Sequence, residues 1–233
     1  YGNHSENQKI SIAQAVNNEI NPHYISQNLG DEKLKVLIAG CGTGNSILHT
    51  LRYKNAQITA IDLSLSSLAY AQRKINELGI DNVEIIQMDI LEIELLKEQF
   101  DIIECGGVLH HMNDPLQGLK ALVGILKKTG FLKLGLYSEL ARKDIVKAKN
   151  YIASKKLQPN EVDIRIFREK VISGELGDLN SLKTFNDFYS LSEVRDLCFH
   201  TQEHRFTMNK LQETLQTNEL KFLGFLLPQR VKS

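Results

Sequence analysis

Apolar residues along the chain form five short runs that are rich in Ile, Val and Leu and lack strict alternation with polar residues. Such runs are typical of parallel strands that are buried on both faces of a sheet. The predicted strands are Leu34–Ala39, Ala56–Ile61, Val83–Met88, Phe100–Cys105 and Phe131–Tyr137. Because helical patterns separate these runs, the sequence predicts an α/β fold with a doubly wound, mostly parallel sheet and right-handed crossovers.

The helical patterns between the strands carry start and stop signals. Ser64 can cap a helix that Gly79 ends, and Asp114 followed by Pro115 opens another. After Tyr137 the alternation stops, and helical patterns follow without strands. These predicted helices are Glu139–Lys156, Glu161–Ser173 and Ser192–Phe199. We therefore predict a helical insertion after the fifth strand.

The same pattern gives a division of the chain. We expect a helical lead-in at residues 1–30, a ligand-binding core at 31–138, the helical insertion at 139–205 and a return to the core at 206–233. Helices are predicted at Glu6–Ile20 and Met208–Thr217, and a last strand at Leu220–Leu227. Since the chain begins at Tyr1 without a methionine, we expect its native N-terminus to be missing.

Composition and charge limit the partners and the cellular location that the sequence predicts. The 233 residues include 28 Lys plus Arg and 28 Asp plus Glu, and this balance argues against nucleic acid as a partner. Three widely separated cysteines, Cys41, Cys105 and Cys198, indicate reduced thiols. No stretch reaches the roughly 20 apolar residues of a membrane span, and no signal peptide is evident. These features predict a cytoplasmic location.

A glycine-rich turn, Gly40-Cys41-Gly42-Thr43-Gly44, follows the first predicted strand, where open parallel sheets bind ligands. It lacks the lysine of a nucleotide triphosphate loop. It also fits a dinucleotide fingerprint poorly, because Asn45 stands where a third glycine is needed. Asp62 and Asp89 follow the second and third strands, where a carboxylate can bind ribose hydroxyls or an adenine amino group. Either aspartate alone could equally be a capping or turn residue.

Four segments, "VLIAGCGTG", "AIDLS", "MDI" and "FDIIECGGVLHHMNDPLQGL", resemble successive motifs of the class I S-adenosylmethionine-dependent methyltransferases. The resemblance covers about residues 34–138 and implies a Rossmann-like fold. It implies S-adenosylmethionine as the cofactor and S-adenosylhomocysteine as the product. The glycines would face the amino-acid part of the cofactor, Asp62 its ribose and Asp89 its adenine. The residues assigned to cofactor binding are Gly40, Cys41, Gly42, Gly44, Asp62, Leu63, Met88, Asp89, Ile90, Cys105 and Gly106.

Methyl transfer from a sulfonium needs alignment of the reactants, and a base where the nucleophile is protonated. The candidate catalytic residues follow the fourth and fifth strands: His110, His111, Tyr137 and Glu139. An alternative is that a histidine fixes its loop by hydrogen bonds and that Ser138 caps a helix.

Two charged segments of the insertion allow more than one interpretation. His200, Glu203 and His204 have the spacing of an inverted zinc-protease motif, but we expect no metal. Together with Arg205 they are expected to form a polar cluster or to brace the insertion.

The first insertion helix is basic, and a solvated face is favoured over a contact with acidic substrate or RNA. Its cations are Arg142, Lys143, Lys147, Lys149, Lys155 and Lys156.

Residues 137–227 carry a narrower resemblance, through "GLYSELARKDIVKAKNYIA", "HTQEHRFT" and "FLGFLL". They resemble a bacterial subgroup that contains tetratricopeptide-fused methyltransferases and rickettsial methyltransferases acting on lysines of an outer-membrane protein. This implies protein lysine methylation and a protein substrate as partner. A small-molecule methyltransferase is the alternative, followed by an NAD-dependent dehydrogenase and a non-catalytic binding module. The family's sheet normally ends with a sixth and a seventh strand, whereas only one further strand, Leu220–Leu227, is predicted here. We therefore expect the chain to be a fragment that lacks the last strand.

Overall fold

The computed structural model describes residues 14–15, 33–53, 55–200 and 202–226. The predicted lead-in helix Glu6–Ile20 lies outside this range except for residues 14 and 15, which are helical. Within it the chain forms two compact units. The first contains the described residues up to Leu109 together with 114–135 and those from 212 onwards, and the second contains 110–113 and 136–211.

The first unit is built on a five-stranded sheet. Its strands are β1 Leu34–Ala39, β2 Ala56–Asp62, β3 Val83–Gln87, β4 Phe100–Gly106 and β5 Leu126–Gly135. They lie in the order β3-β2-β1-β4-β5, and every neighbouring pair is parallel. The predicted doubly wound parallel fold is therefore confirmed. The chain winds outwards from β1 to β3 and then returns to the other side of β1, so the strand order reverses between β1 and β4.

The fifth strand begins earlier and ends sooner than the predicted Phe131–Tyr137. Phe100 pairs with Leu126 and Ile102 pairs with Phe131, so five steps along β5 oppose two along β4. Residues 127–130 therefore form a bulge inside the strand. Lys127 in this bulge forms an ion pair of 2.8 Å with Asp101 of β4. The strand pairing therefore begins at Leu126, before the bulge, and resumes at Phe131 after it.

Two helices of the first unit begin where the sequence predicts, after Ser64 and Asp114. The helices of this unit are α1 Asn45–Thr50, α2 Leu65–Glu77 and α3 Pro115–Gly124, with a 3₁₀ helix at Ile90–Leu96. The Ser64 hydroxyl accepts a hydrogen bond from the Ser67 N–H, and the Asp114 carboxylate accepts one from the Leu116 N–H. These caps satisfy backbone donors that would otherwise lack partners.

The second unit is helical. Its elements are α4 Lys143–Ser154, α5 Glu161–Ile172, α6 Leu191–Val194 and 3₁₀ helices at Gly177–Thr184 and Asn186–Tyr189. A π-helical turn at Arg195–Phe199 follows α6 and replaces the second half of the predicted helix Ser192–Phe199. The core of this unit is mainly aliphatic and contains three phenylalanines, of which Phe167 contacts Phe188 and Phe199 with ring centroids 6.4 and 5.8 Å apart. The last helix is α7 Met208–Thr217.

The prediction of a strand at Leu220–Leu227 is wrong for residues 220–226, which belong to no strand. Phe222, Phe225 and Leu226 are each nearly half exposed, so no face of this segment is buried as a strand in a sheet would be. An apolar run alone does not supply the partner that a strand requires. Across the described ranges, no helix is both long and apolar enough to span a bilayer.

Candidate functional site

The glycines that follow β1 adopt a backbone that other residues rarely use. Gly40, Gly42 and Gly44 have φ angles of 80°, 52° and 96°. A Cβ at Gly40 would lie 2.1 Å from Cγ2 of Val108, whereas one at Gly42 would meet no atom within 4 Å. The turn is therefore tightly packed at its first glycine and open at its second, which is where a ligand can approach the backbone.

Asp62 at the end of β2 is tied to this turn. Its carboxylate oxygens accept hydrogen bonds of 2.8 Å from the Gly42 N–H and from the Ser64 N–H. The Ile61 carbonyl accepts bonds from the N–H groups of Gly40 and Cys41. These bonds hold the exits of β1 and β2 together and fix the orientation of the carboxylate. Each carboxylate oxygen keeps a further lone pair that could accept a ribose hydroxyl.

Asp89 follows β3 and acts as a cap, which was one of the alternatives open from the sequence. Its Oδ1 accepts a hydrogen bond of 2.9 Å from the Leu91 N–H at the start of the 3₁₀ helix. The Met88 N–H donates to the Asp62 carbonyl, which places the exit of β3 beside that of β2. Ile90 is buried and Leu63 is largely exposed. The assignment of Asp89 to adenine stays a prediction.

The exit of β4 lies on the other side of β1, and Cys105 and Gly106 are its last residues. A Cβ at Gly106 would meet no atom within 4 Å, as at Gly42. Burial raises the pKa of Cys105 to about 12, and burial followed by the charge of Asp62 raises that of Cys41 to about 11. Both thiols are therefore protonated at neutral pH and are poor nucleophiles. Open glycine backbone and an oriented carboxylate fit the predicted nucleoside cofactor.

The candidate catalytic residues His110 and Tyr137 pack together in the second unit. Their ring centroids lie 3.6 Å apart with planes inclined by 26°. The Arg142 Cζ atom lies 3.9 Å from the Tyr137 centroid. Two groups this close to one centroid would overlap on the same side, so they cover opposite faces of the tyrosine. We call this arrangement of His110, Tyr137 and Arg142 the tyrosine sandwich. It leaves only the ring edge and the hydroxyl for a ligand.

His111 is held by a backbone carbonyl. Its Nδ1 lies 3.1 Å from the Gln202 oxygen, and since a carbonyl only accepts, Nδ1 carries the proton of this bond. In the neutral ring Nε2 is then the acceptor. Burial lowers the pKa of His111, and the charges of His200 and Lys149 lower it further against the Gln202 bond and Glu203. The ring of His200 lies 4.2 Å away, centroid to centroid.

Glu203 carries a buried charge in this unit, since its side chain is only 1% exposed. Arg142 binds both of its carboxylate oxygens, at 3.2 and 2.5 Å, and Lys149 donates a bond of 2.9 Å. Arg205 completes the group with an ion pair of 3.9 Å. Burial opposes the charge of Glu203, but the bonds from Arg142 and Lys149 outweigh it and hold its pKa at about 2. Glu203 is thus a structural anion.

Residues 202–206, which we call the strap, run alongside both candidate catalytic loops. The His204 N–H donates to the His110 carbonyl at 2.7 Å, and the Phe206 N–H donates to the Tyr137 carbonyl at 2.8 Å. The strap is not helical, so it does not present His200 and His204 one helical turn apart as the zinc motif requires. Among the described residues, no three His, Cys, Asp or Glu are arranged to hold a metal ion.

The structure also shows where the side chains of Glu139, Arg142 and Lys149 lie. The Glu139 side chain is exposed, and its N–H donates to the Phe206 carbonyl. Arg142 and Lys149 were assigned to a solvated helix face, which is wrong, because both turn inward to Glu203. Their spacing of seven residues was a usable signal, since it places them on the same helix face as buried Ile145 and Ile152.

Replacing Gly40 by alanine should destabilise the first unit, because the new methyl group would overlap Val108 in a strained backbone. Overpacking costs about 1–3 kcal/mol in addition to the left-handed conformation. Gly79→Ala is the matched control, since Gly79 also has a positive φ but has no atom within 4 Å of an added Cβ. Urea unfolding should show a larger loss for Gly40→Ala, and Val108→Ala should recover part of it. Equal losses for the two variants would refute the packing argument.

Comparisons with known proteins agree with this geometry. Residues 36–130 match the family described as "Methyltransferase domain". An uncharacterised protein from Synechococcus sp. is 34% identical over 202 residues, which is 82% of this chain and 48% of that protein. A malonyl-[acyl-carrier protein] O-methyltransferase from Priestia megaterium is 24% identical over 218 residues, covering 91% of this chain and 69% of that protein.

A solved structure shares the fold over most of the chain. PKMT2 from Rickettsia typhi aligns with a TM-score of 0.69 at 20% identity, covering 87% of this chain and 43% of that chain. The same protein has also been solved in complex with AdoHcy. The chain therefore spans about half the length of the Synechococcus relative and of the rickettsial structure.

Proposed function

The chain carries a class I S-adenosylmethionine-dependent methyltransferase domain, with S-adenosylmethionine as cofactor and S-adenosylhomocysteine as product, and from this premise we propose that the protein methylates lysine side chains of a protein substrate. The observation that carries the proposal is the extent of the structural likeness. The alignment with rickettsial PKMT2 covers 87% of the chain, whereas the methyltransferase family matches only residues 36–130. The likeness therefore includes much of the helical unit. This agrees with the sequence resemblance of residues 137–227 to rickettsial lysine methyltransferases.

Charges around Tyr137 support a cationic acceptor. Burial raises the pKa of Tyr137, and the carboxylates of Glu203, Asp187 and Asp196 act in the same direction against Arg142. The phenol is therefore neutral at physiological pH and can orient an amine through its hydroxyl. Asp187 and Asp196 are exposed, so they can attract an incoming ammonium group before it loses its proton.

The acceptor lysine must become neutral before it reacts, at a cost of about 1.36 kcal/mol for each unit between its pKa and the ambient pH. His111 is the proposed base, because its lowered pKa and its Nδ1–H bond to Gln202 leave Nε2 free of a proton. When bound, S-adenosylmethionine would supply a sulfonium methyl group, whose carbon the amine lone pair attacks while the C–S electron pair leaves with the sulfur of S-adenosylhomocysteine. Tyr137 and Glu139 are the further candidates to contact the amine.

Methylation of a small molecule or a carrier-bound acid is the second candidate. It is favoured by the alignment with the malonyl-[acyl-carrier protein] O-methyltransferase, which covers 91% of this chain. A carboxylate acceptor needs no base, because it is already deprotonated at neutral pH. Methylation of a lysine and methylation of a carrier-bound acid therefore differ in whether His111 is required.

The lysine proposal predicts where a labelled methyl group appears. We expect purified protein, incubated with methyl-labelled S-adenosylmethionine, to label lysines of bacterial envelope proteins and not a metabolite or acyl-carrier fraction. Tyr137→Phe should lower the rate by roughly 10–100-fold, since it removes the orienting hydroxyl. Tyr189→Phe is the matched control, because Tyr189 belongs to the same unit and its hydroxyl donates to the Lys183 carbonyl, away from the tyrosine sandwich. Label confined to small molecules or acyl carrier would reject the proposal and support the second candidate.

A further inference from the structure

We infer that Glu203 is a positioning residue for Tyr137, acting through Arg142, which it holds against one face of the tyrosine ring. The inference rests on the proposed function, in which the Tyr137 hydroxyl orients the acceptor amine. It assigns to Glu203 a role that neither its sequence motif nor its ion pairs alone would suggest.

Arg142 is held in a fixed position by Glu203. Its guanidinium makes a two-point contact with Glu203, through Nε to Oε1 and Nη2 to Oε2, and Nη2 also lies 3.4 Å from the Leu197 carbonyl. A planar guanidinium bound at two points has one orientation, which a single contact would not define. Because the Arg142 side chain is only 7% exposed, solvent does not compete for these bonds.

Arg142 in turn limits the movement of Tyr137. With the guanidinium on one face and His110 on the other, a tilt of the ring in either direction would meet one of these groups, and this limits the direction of its hydroxyl. A cation over an aromatic face is attracted to the ring, most strongly when the pair is desolvated. Moving the carboxylate of Glu203 would therefore release the cation and then the ring.

The strap also connects the backbone of Glu203 to these residues. Glu203 lies between Gln202, whose carbonyl binds His111, and His204, whose N–H binds the His110 carbonyl. Phe206 binds the Tyr137 carbonyl in the same way. The backbone that carries Glu203 is thus joined to every residue of the sandwich except Arg142, and the side chain of Glu203 supplies that remaining connection.

The test uses a substitution that keeps the charge and moves it. Glu203→Asp retains the carboxylate but draws it back by one methylene group, so a through-space electrostatic role would be nearly unchanged while positioning would be lost. The matched control is Glu161→Asp, in an exposed ion pair of 2.6 Å with Arg165. The readout is the titration of 3-fluorotyrosine at position 137, followed by ¹⁹F NMR without substrate. It therefore does not depend on which acceptor the enzyme uses.

The groups that act on Tyr137 set the expected direction. Arg142 lowers the pKa of Tyr137, while Glu203, Asp187 and Asp196 raise it, and the neighbouring rings are His110 and His111. Glu203→Asp should raise the pKa of Tyr137, Arg142→Met should raise it as well, and the double variant should match Arg142→Met. Glu161→Asp should leave it unchanged. With a lysine substrate, Glu203→Asp should lower kcat by on the order of tenfold with little change in KM.

Several outcomes would overturn the inference. If Arg142→Met shifts the titration and Glu203→Asp does not, Glu203 does not position Arg142. If the two effects add in the double variant, the residues act independently. If Glu203→Asp does not fold by circular dichroism, Arg142→Lys replaces it, since a lysine keeps the charge but not the two-point contact. An unchanged titration in that variant would also reject the inference. A confirmed titration without lysine methylation would reject only the proposed function.

Discussion

Replacing Asp62 by alanine should weaken S-adenosylmethionine binding by roughly 100-fold or more. Hydrogen bonds to a charged acceptor contribute about 1.5–3 kcal/mol each, and two ribose hydroxyls would lose theirs. The loss has a second cause, because Asp62 also accepts the bonds from the N–H groups of Gly42 and Ser64. Without the carboxylate, the glycine turn would have to be ordered by the cofactor itself.

Titration calorimetry at constant salt measures this effect. Asp62→Asn keeps one acceptor oxygen for the Gly42 N–H but loses the charge, so it should bind with an affinity between those of the native protein and Asp62→Ala. The control is Asp81→Ala, which removes an exposed carboxylate from the turn before β3 and should have no effect. Native affinity in Asp62→Ala would show that the cofactor does not depend on this carboxylate.

Replacing Glu203 by alanine should lower the free energy of unfolding of the second unit by about 3–5 kcal/mol at pH 7, since it leaves buried cations without their anion. The sign with pH follows from the depressed pKa of about 2. The stabilisation is fully present above the ordinary value of 4.5 and is lost as the pH falls from there towards 2. The difference between native protein and variant should therefore shrink in acid.

Urea unfolding of both proteins at pH 7 and pH 3 tests this dependence. Glu161→Ala is a suitable comparison, because it removes a carboxylate from an exposed ion pair and should cost at most about 1 kcal/mol at either pH. A loss in Glu203→Ala that is the same at pH 7 and pH 3 would mean that the cost is one of packing and not of charge.

Much of the fold follows from local patterns in the sequence. The strands β1 to β4 were predicted to within one residue at each end, because a strand buried on both faces is a continuous apolar run. The helix starts at Ser64 and Asp114 were predicted because their caps are local hydrogen bonds. The bulge in β5 was not predicted, and a strand was wrongly predicted after α7. Both features depend on what lies beside the segment and not on its own residues.

The second unit shows why candidate site residues are harder to predict. Histidine and tyrosine after two strand ends were recognisable as candidates, and the structure brings His110, His111 and Tyr137 together. The partner of Arg142 lies 61 residues further along the chain, so a window of one helix could not contain it. Burial of an ion pair is a tertiary property, and the basic composition of the helix favoured the solvated alternative.

The strap has a consequence for how the protein is made. During synthesis the N-terminal residues of a chain emerge first. His110 and Tyr137 are therefore exposed on the ribosome long before residues 202–206, to which their backbones bond, have been translated. The partner of His111 is the Gln202 carbonyl, which lies 91 residues further along the chain. A product terminated before the strap could complete the sheet of the first unit and yet leave these rings unanchored. We therefore expect His110, His111 and Tyr137 to become ordered only after the strap has been translated.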